Sequence, residues 1–546
     1  MRTTSVLLVV TMLGTLAAAR SAAACTNILV TPGASADGSA FVTYVADSHE
    51  LYGELTLSPG GQFPPGATRE IIDWDTATHL GRIPQAARTN SVVGLMNQRQ
   101  VAIGETTFDG REELGKPNGI IDYGSAMYIA LERAASAREA IAVMTDLIAE
   151  HGYASTGESF SIADPKEAWI LDLIGKGEGE KGAVWVAVRV PDGFISAHAN
   201  QARIRRFPLH DPDNCVYAPD VIEFARRKGY FSGPEDEFSF ADAYAPIEFG
   251  ALRACESRVW SVFRRAAPSL DLPPEMVSGD TSAPPLPMWV KPDRPLAVAD
   301  VFSLMRDHFE GTPYDLSLGV GAGPFACPYR WRPMEWEVDG QKYVNERAIS
   351  TQQTGFSFIA QMRQSLPDPI GGVLWFGVDD TFMTVYIPMY CGIQAVPRSF
   401  GPGVATLFDF SWDSAFWVFN WVSNFTYTRY SDMIFDVQAV QRELEGRFLA
   451  DQQRVEAAAL ALHSTSPQLA LDYLSRYSVE MGDQVFTRWR RLGEQLLVKY
   501  LDGNVKTPGR EVEHPPYPER WYRYIVEERG EELRMPQPAP TPTPTP

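Results

Sequence analysis

Ala22-Ala23-Ala24-Cys25-Thr26-Asn27-Ile28-Leu29-Val30 joins two kinds of sequence, and the reading of the fold starts there. Upstream, Arg2 and the apolar run Val6 to Leu16 are followed by the small residues Ala22-Ala23-Ala24. A charged start, a run too short to cross a bilayer and an A-x-A ending together predict a secretory leader cut after Ala24. The alternatives are an N-terminal membrane anchor, or a lipid anchor on Cys25. The lipid anchor needs a Leu three residues before the Cys, where this chain has Ala22. Downstream, Asn27 to Val30 and Phe41 to Val45 are apolar and partly β-branched, and Asp37-Gly38 marks a turn between them. The hairpin brings the chain back, so Asp47-Ser48 is expected beside Cys25.

A cut after Ala24 gives Cys25 a thiol and a free α-amine on one residue. An α-amine titrates at about 7.7 to 8.0, close to working pH, so it can act as the base for its own thiol. That replaces the usual cysteine–histidine pair. Five cysteines (Cys25, Cys215, Cys255, Cys327 and Cys391) are an odd number, so at least one has no partner within the chain. If Cys25 is that one, the others allow up to two bridges or remain free.

Other chemistries lack their signatures. His-Glu-x-x-His, Gly-x-Ser-x-Gly and a Walker loop are absent; Gly152 to Gly157 has the wrong spacing, and Gly319 to Gly323 lacks a nucleotide site's context. No Cys-x-x-Cys suggests zinc. Neither a metal nor another cofactor is required. Lys plus Arg number 48 against 68 Asp plus Glu, a net charge of −20 that argues against nucleic acid as a partner.

Beyond the hairpin, Ser91 to Leu95 and Gln100 to Gly104 read as paired strands, and Ala126 to Tyr153 as helix. Phe160 to Ala163, Ala168 to Leu173 and Val184 to Val188 read as strands, and Trp375 to Pro388 as further sheet. Strands, then helix, then strands predict an α+β fold with antiparallel sheets. The aromatic stretch Phe408 to Phe425 reads as core or as the wall of a substrate groove. Gln438 to Leu462 and Pro467 to Leu501 read as two long helices, and Pro536 to Pro546 as a disordered Pro/Thr tail.

Several ordered blocks then resemble one family. They are Cys25-Thr26-Asn27-Ile28-Leu29-Val30, Ala46-Asp47-Ser48, Met96 to Thr107, Gly157-Glu158-Ser159-Phe160, Ala197 to Ile204, Glu310 to Asp315 and Gly323 to Arg330. They are similar to the cysteine dipeptidases of the dipeptidase A (PepD) type, within the N-terminal-nucleophile hydrolases. The resemblance implies a four-layer αββα core with a largely helical C-terminal region. With the leader and the helical pattern read above, the chain is expected to divide into a leader at 1–24, a hydrolase domain at 25–410, a helical extension packed on the core at 411–505, and a C-terminal segment at 506–546 with a disordered tail; the region from Ser411 to Leu501 matches no family motif. The leader predicts a secreted or periplasmic enzyme with no membrane contact after leader removal, and a homo-oligomer is open. By the resemblance its substrate would be a dipeptide or small amide, hydrolysed through a thioester on Cys25.

By the same comparison Asp47 orients the amine and thiol, and Asn200 donates to the oxyanion. A backbone amide within Glu105-Thr106-Thr107 completes the oxyanion hole, and Arg258 polarises the nucleophile. Glu105 is also a candidate partner for a substrate α-ammonium. Each has a plainer reading: Asp47 as a turn cap, Asn200 as a partner for buried backbone, Arg258 and Glu105 as structural ion pairs. Many relatives carry Arg-Asn shortly before the Asp-Ser, where this chain has Tyr44-Val45. Two other functions stay open: an amidase acting on acylated amino acids or other non-peptide amides, and a non-catalytic binding protein of the same fold.

Overall fold

The computed structural model describes residues 25–48 and 50–537. The expected leader at 1–24 and the last residues of the Pro/Thr tail lie outside the described residues. Two antiparallel sheets form the centre. The first has six strands in the spatial order Ile195–His198, Asn27–Val30, Ala40–Asp47, Thr354–Met362, Val373–Val378 and Ile387–Tyr390. The second has eight, in the order Cys215–Tyr217, Ala183–Arg189, Ala168–Gly175, Gly157–Ala163, Ala102–Phe108, Met96–Asn97, Val92–Val93 and Leu57–Ser58. Asn27–Val30 and Ala40–Asp47 lie against Ala102–Phe108 and Gly157–Ala163, so the sheets stack face to face.

Helices close both outer faces, which completes the four-layer αββα arrangement of an N-terminal-nucleophile hydrolase. Tyr123–Arg133 and Ala137–His151 cover the second sheet, while Ser257–Ala266, Val298–Met305 and the C-terminal helices cover the first. A sheet covered on both sides should be buried along whole strands rather than at alternate residues. Asn27–Val30, Ala40–Asp47, Gly157–Ala163 and Thr354–Met362 are buried at every position.

The expected single helix from Ala126 to Tyr153 is two. Arg133 ends the first, and Ser136 caps the second by accepting from the Glu139 N–H at 3.3 Å. A side-chain cap restarts a helix after a break, a signal that apolar periodicity alone does not carry. The two C-terminal helices run Tyr430–Thr465 and Pro467–Tyr500, the first longer at its start than Gln438 suggests. All five cysteines are free thiols, so no bridge forms among the described residues. No helix among them is long and apolar enough to cross a membrane.

The aromatic stretch divides between its two readings. Phe416 and Phe419 are buried, and Phe419 stacks on Trp489 with centroids 4.7 Å apart. Phe408, Phe410 and Trp412 are exposed. Phe416 and Trp417 also line a cleft of about 340 Å³ with Trp331, Arg332, Ser48 and Thr354.

Candidate active site

The hairpin returns as expected. Thr26 and Val45 bridge, so Cys25 sits at the lip of the first sheet and Asp47 ends the strand beside it. The Cys25 thiol is buried, 3.7 Å from the Tyr44 hydroxyl and 3.6 Å from Glu105 Oε1. Burial, with Glu105 and then Asp47 adding repulsion, pushes its pKa well above the usual thiol value. The Cys25 side chain is therefore a neutral thiol at rest, and a thiol in that state needs a base to react.

Asp47 is held by two groups far along the chain. Arg347 Nη2 donates to its Oδ2 at 2.8 Å, and the Thr354 hydroxyl donates to its Oδ1 at 2.6 Å. Burial drives the Asp47 carboxyl up to about 7 against the pull of Arg347, and drives Arg347 down to about 9.

Arg258 follows a π-helical turn, Ala251–Glu256, and its Nε donates back to the Ala254 carbonyl at 2.8 Å. Its Nη1 donates to the Cys25 carbonyl at 2.7 Å and to the Thr26 hydroxyl at 2.8 Å. Its Nη2 donates to Asn200 Oδ1 at 2.9 Å. The guanidinium thus grips the backbone of Cys25 rather than its sulfur. By occupying the amide oxygen of Asn200 it turns the NH2 end the other way. That end donates to the Thr107 carbonyl at 2.7 Å. Asn200 has a positive φ of 57°, a conformation Asn tolerates better than most residues.

The strand Ala102–Phe108 supplies the opposite wall. Gly104 is required by the close approach of the sheets: a Cβ there would meet Asn27 Nδ2 at 2.7 Å and the Thr43 carbonyl at 3.1 Å. With its amide turned to satisfy both ends, Asn27 accepts from the Glu105 N–H at 3.0 Å and donates to the Glu105 carbonyl at 2.9 Å. The Ile103 N–H bonds the Leu95 carbonyl, so alternation sends the Thr106 N–H toward Gly157–Ala163 and the Thr107 N–H to the edge facing Asn200. Of the three residues expected to supply a backbone donor, Thr106 faces the neighbouring strand and Glu105 gives its N–H to Asn27, which leaves Thr107.

Side chains alternate too. Thr106 turns to His198, its hydroxyl 2.8 Å from Nδ1, while Ser161 lies 2.7 Å from Nε2. Burial drives His198 down to about 3, which keeps this imidazole neutral. Thr106 therefore meets His198 rather than Cys25. On the other face Glu105 meets Glu158, which sequence reasoning placed in a motif without giving it a role. The Thr107 hydroxyl lies 3.5 Å from Glu105 Oε2 and 3.1 Å from Glu158 Oε1. Burial raises the pKa of both acids; their mutual contact lifts Glu158 further and draws Glu105 back. Tyr44 donates to Glu105 Oε1, and Tyr123 donates to Asp75 at 2.8 Å nearby.

Comparison with known proteins agrees with this architecture. The profile of Peptidase family C69 matches residues 61–443. The chain belongs to that family. The C69 match takes in Glu105, Asn200 and Arg258, while Cys25 and Asp47 precede it. A probable dipeptidase of Salmonella dublin is 28% identical over 400 residues, covering 70% of this chain and 83% of the relative. A probable dipeptidase of Latilactobacillus sakei is 28% identical over 255 residues, 47% of each chain. Probable dipeptidase B of Streptococcus pyogenes serotype M1 is 22% identical over 393 residues, 71% of this chain and 72% of the relative. A C69 peptidase is a hydrolase, the class of chemistry that the sequence anticipated.

Proposed function

We propose that this protein is an exported cysteine dipeptidase in which Cys25, freed at its N-terminus by removal of residues 1–24, is the nucleophile. One observation carries the reading: a buried neutral thiol stands at the meeting point of Asp47, Tyr44 and Glu105, while Arg258 ties its backbone to Asn200. The names of the C69 relatives support a dipeptide as substrate.

The α-amine takes the thiol proton as Sγ attacks the carbonyl carbon of the peptide bond. Asp47, steadied by Arg347 and Thr354, orients the amine. The tetrahedral oxyanion accepts from Asn200 Nδ2 and the Thr107 N–H, and each such donor lowers the barrier by about 3 kcal/mol. Collapse breaks the C–N bond, and the departing amine takes the proton from the α-ammonium. Water then attacks the thioester, giving its proton to the amine and its hydroxyl to the acyl carbon. Cys25 returns as a thiol.

An acylase-like amidase is the second reading. It is favoured by the apolar cleft that Trp331, Phe416 and Trp417 build beside Thr354, a place for an acyl chain.

Edman sequencing and intact mass of the exported protein, followed by hydrolysis assays with dipeptides and with N-acyl amino acids, test both readings. The expected chain begins with unmodified Cys25 and cleaves dipeptides, and Cys25→Ala abolishes turnover. A mature chain that starts elsewhere, or carries an acylated Cys25, removes the base and overturns the mechanism. Preference for N-acyl amino acids would select the second reading.

A further inference from the structure

Three carboxylates near the thiol have no cation. Among the described residues, Glu105, Glu158 and Asp75 form no ion pair, and the charged groups that perturb them most are other acids. Glu105 and Glu158 are buried to within 1%. The surroundings are short of partners as well: Glu158 Oε2, the Tyr153 hydroxyl and Asp122 Oδ1 are buried polar atoms without a hydrogen-bond partner. Tyr153 is buried and is no part of the acid cluster, yet Glu158 is its strongest electrostatic neighbour. Yet among the described residues no three His, Cys, Asp or Glu side chains are grouped to hold a metal ion. Buried acids without cations, ringed by unsatisfied donors and acceptors, describe a place that receives a charged ligand during function.

The distance to the thiol identifies the ligand. In an unblocked peptide the amino nitrogen lies about 2.5 Å from the first carbonyl carbon, as standard bond lengths and angles require. A carboxylate oxygen 3.6 Å from Cys25 Sγ is within hydrogen-bond reach of that nitrogen when the first carbonyl lies against the sulfur. Tyr44 adds the choice of charge. A cationic side chain at this position would neutralise Glu105, whereas a phenol donates one hydrogen bond and leaves the charge unmatched.

We propose that Glu105 and Glu158 share one proton in the free enzyme and form the subsite for the substrate's α-ammonium, which expels that proton as it binds. This deepens the dipeptidase reading and rests on it. It confines cleavage to the first peptide bond of substrates with a free amino terminus. Two hydrogen-bonded carboxyls become two carboxylates around one ammonium, and the proton passes to solvent. The other titratable groups facing the pair are Cys25 and Tyr44 from the first sheet, Asp75 and Asp122 from the segments before the helix Tyr123–Arg133, Tyr123 on that helix, and Tyr153. None of these side chains is cationic; apart from the Cys25 α-amine, which Asp47 holds, the substrate brings the positive charge to this group.

The test uses the processed full-length enzyme and a mixed-sequence dipeptide library, free and N-acetylated, with products read by mass spectrometry. Wild type should prefer the free library by at least about 100-fold in kcat/KM, since a buried site made for a charged donor rejects an analogue lacking it. Glu105→Gln should bring the two libraries within about tenfold of each other. For wild type, kcat/KM toward free dipeptides should climb as the pair loses its proton with rising pH, then fall as the substrate amine deprotonates near about 8. Glu158→Gln should remove the part of the climb set by the pair and leave the part set by the Cys25 α-amine. Equal cleavage of both libraries by wild type overturns the subsite and leaves the Cys25 mechanism standing. Cleavage of neither library overturns the dipeptidase reading and the subsite together. The wild-type comparison needs no variant to fold.

Discussion

Two groups of buried carboxylates flank the same thiol, and they are neutralised in opposite ways. On one side Asp47 is clamped by Arg347 and Thr354, with Arg258 close behind. On the other, among the described residues, Glu105 and Glu158 face the Cys25 thiol, tyrosines, a threonine and further acids, and no cationic side chain. A charge balanced inside the protein is part of the scaffold, and removing its partner leaves an expensive buried ion. A charge left unbalanced costs stability from the start, so evolution keeps it only where a ligand or a proton completes it. The contrast therefore separates a side balanced within the protein from the side that the proposed ammonium would complete; on the proposed reading these are the positioning side and the recognising side.

Arg347→Ala is the sharpest way to break that contrast. It should cost about 3–5 kcal/mol of stability by stranding Asp47, read as a lowered urea midpoint, and should remove activity as well. A loss under 1 kcal/mol would mean that Asp47 is solvated or protonated without its arginine, and that the two sides do not differ.

His198 probes a third way of handling a buried titratable group, neutrality through burial, with Arg203 adding repulsion. Its pKa falls to about 3 when the chain folds, so the unfolded state binds the extra proton. Stability from this group is complete above its unfolded value of about 6.5 and drains away as pH drops toward 3. Between pH 7 and pH 5 the loss should be about 2 kcal/mol. His198→Gln should shed that part of the slope in urea titrations run at both pH values; an unchanged slope would place a charged imidazole between the sheets.

Glu158→Gln should have the smallest effect on stability and the opposite sign to Arg347→Ala. At pH 5 the variant should stay within about 1 kcal/mol of wild type, because a protonated carboxyl and an amide make similar hydrogen bonds. The Glu158 pKa is raised on folding, so its favourable contribution is present below about 4.5 and fades with rising pH. The variant should gain on wild type as pH increases. A steady loss at every pH would make Glu158 an ordinary structural acid.

The sequence disclosed the positioning side better than the recognising side, for physical reasons. Cys25 and Asp47 are legible because one short hairpin fixes their separation, and local turn chemistry is readable along the chain. Asn200 and Arg258 come within reach through resemblance, not through any periodicity. Arg347 and Thr354 lie about three hundred residues from Asp47, and no local pattern announces a side chain that closes a site from that distance. Glu158 did leave a trace: it is an acid inside Gly157–Ala163, a strand buried at every position. Thr106 shows the limit of reading a motif as a block. Three consecutive residues of a strand cannot face one ligand, because the pleat turns the middle one away.

Arg258 spends its donors on the carbonyls of Ala254, Cys25 and Ala199, the Thr26 hydroxyl and the amide oxygen of Asn200. A single planar group is thereby riveted to three stretches of chain. Small excursions of the helix Ser257–Ala266 would carry Cys25 and Asn200 together, so their spacing survives thermal motion even as their distance from a guest fluctuates. Lysine, a single ammonium with three hydrogens, could carry the charge but could not serve as that rigid bracket.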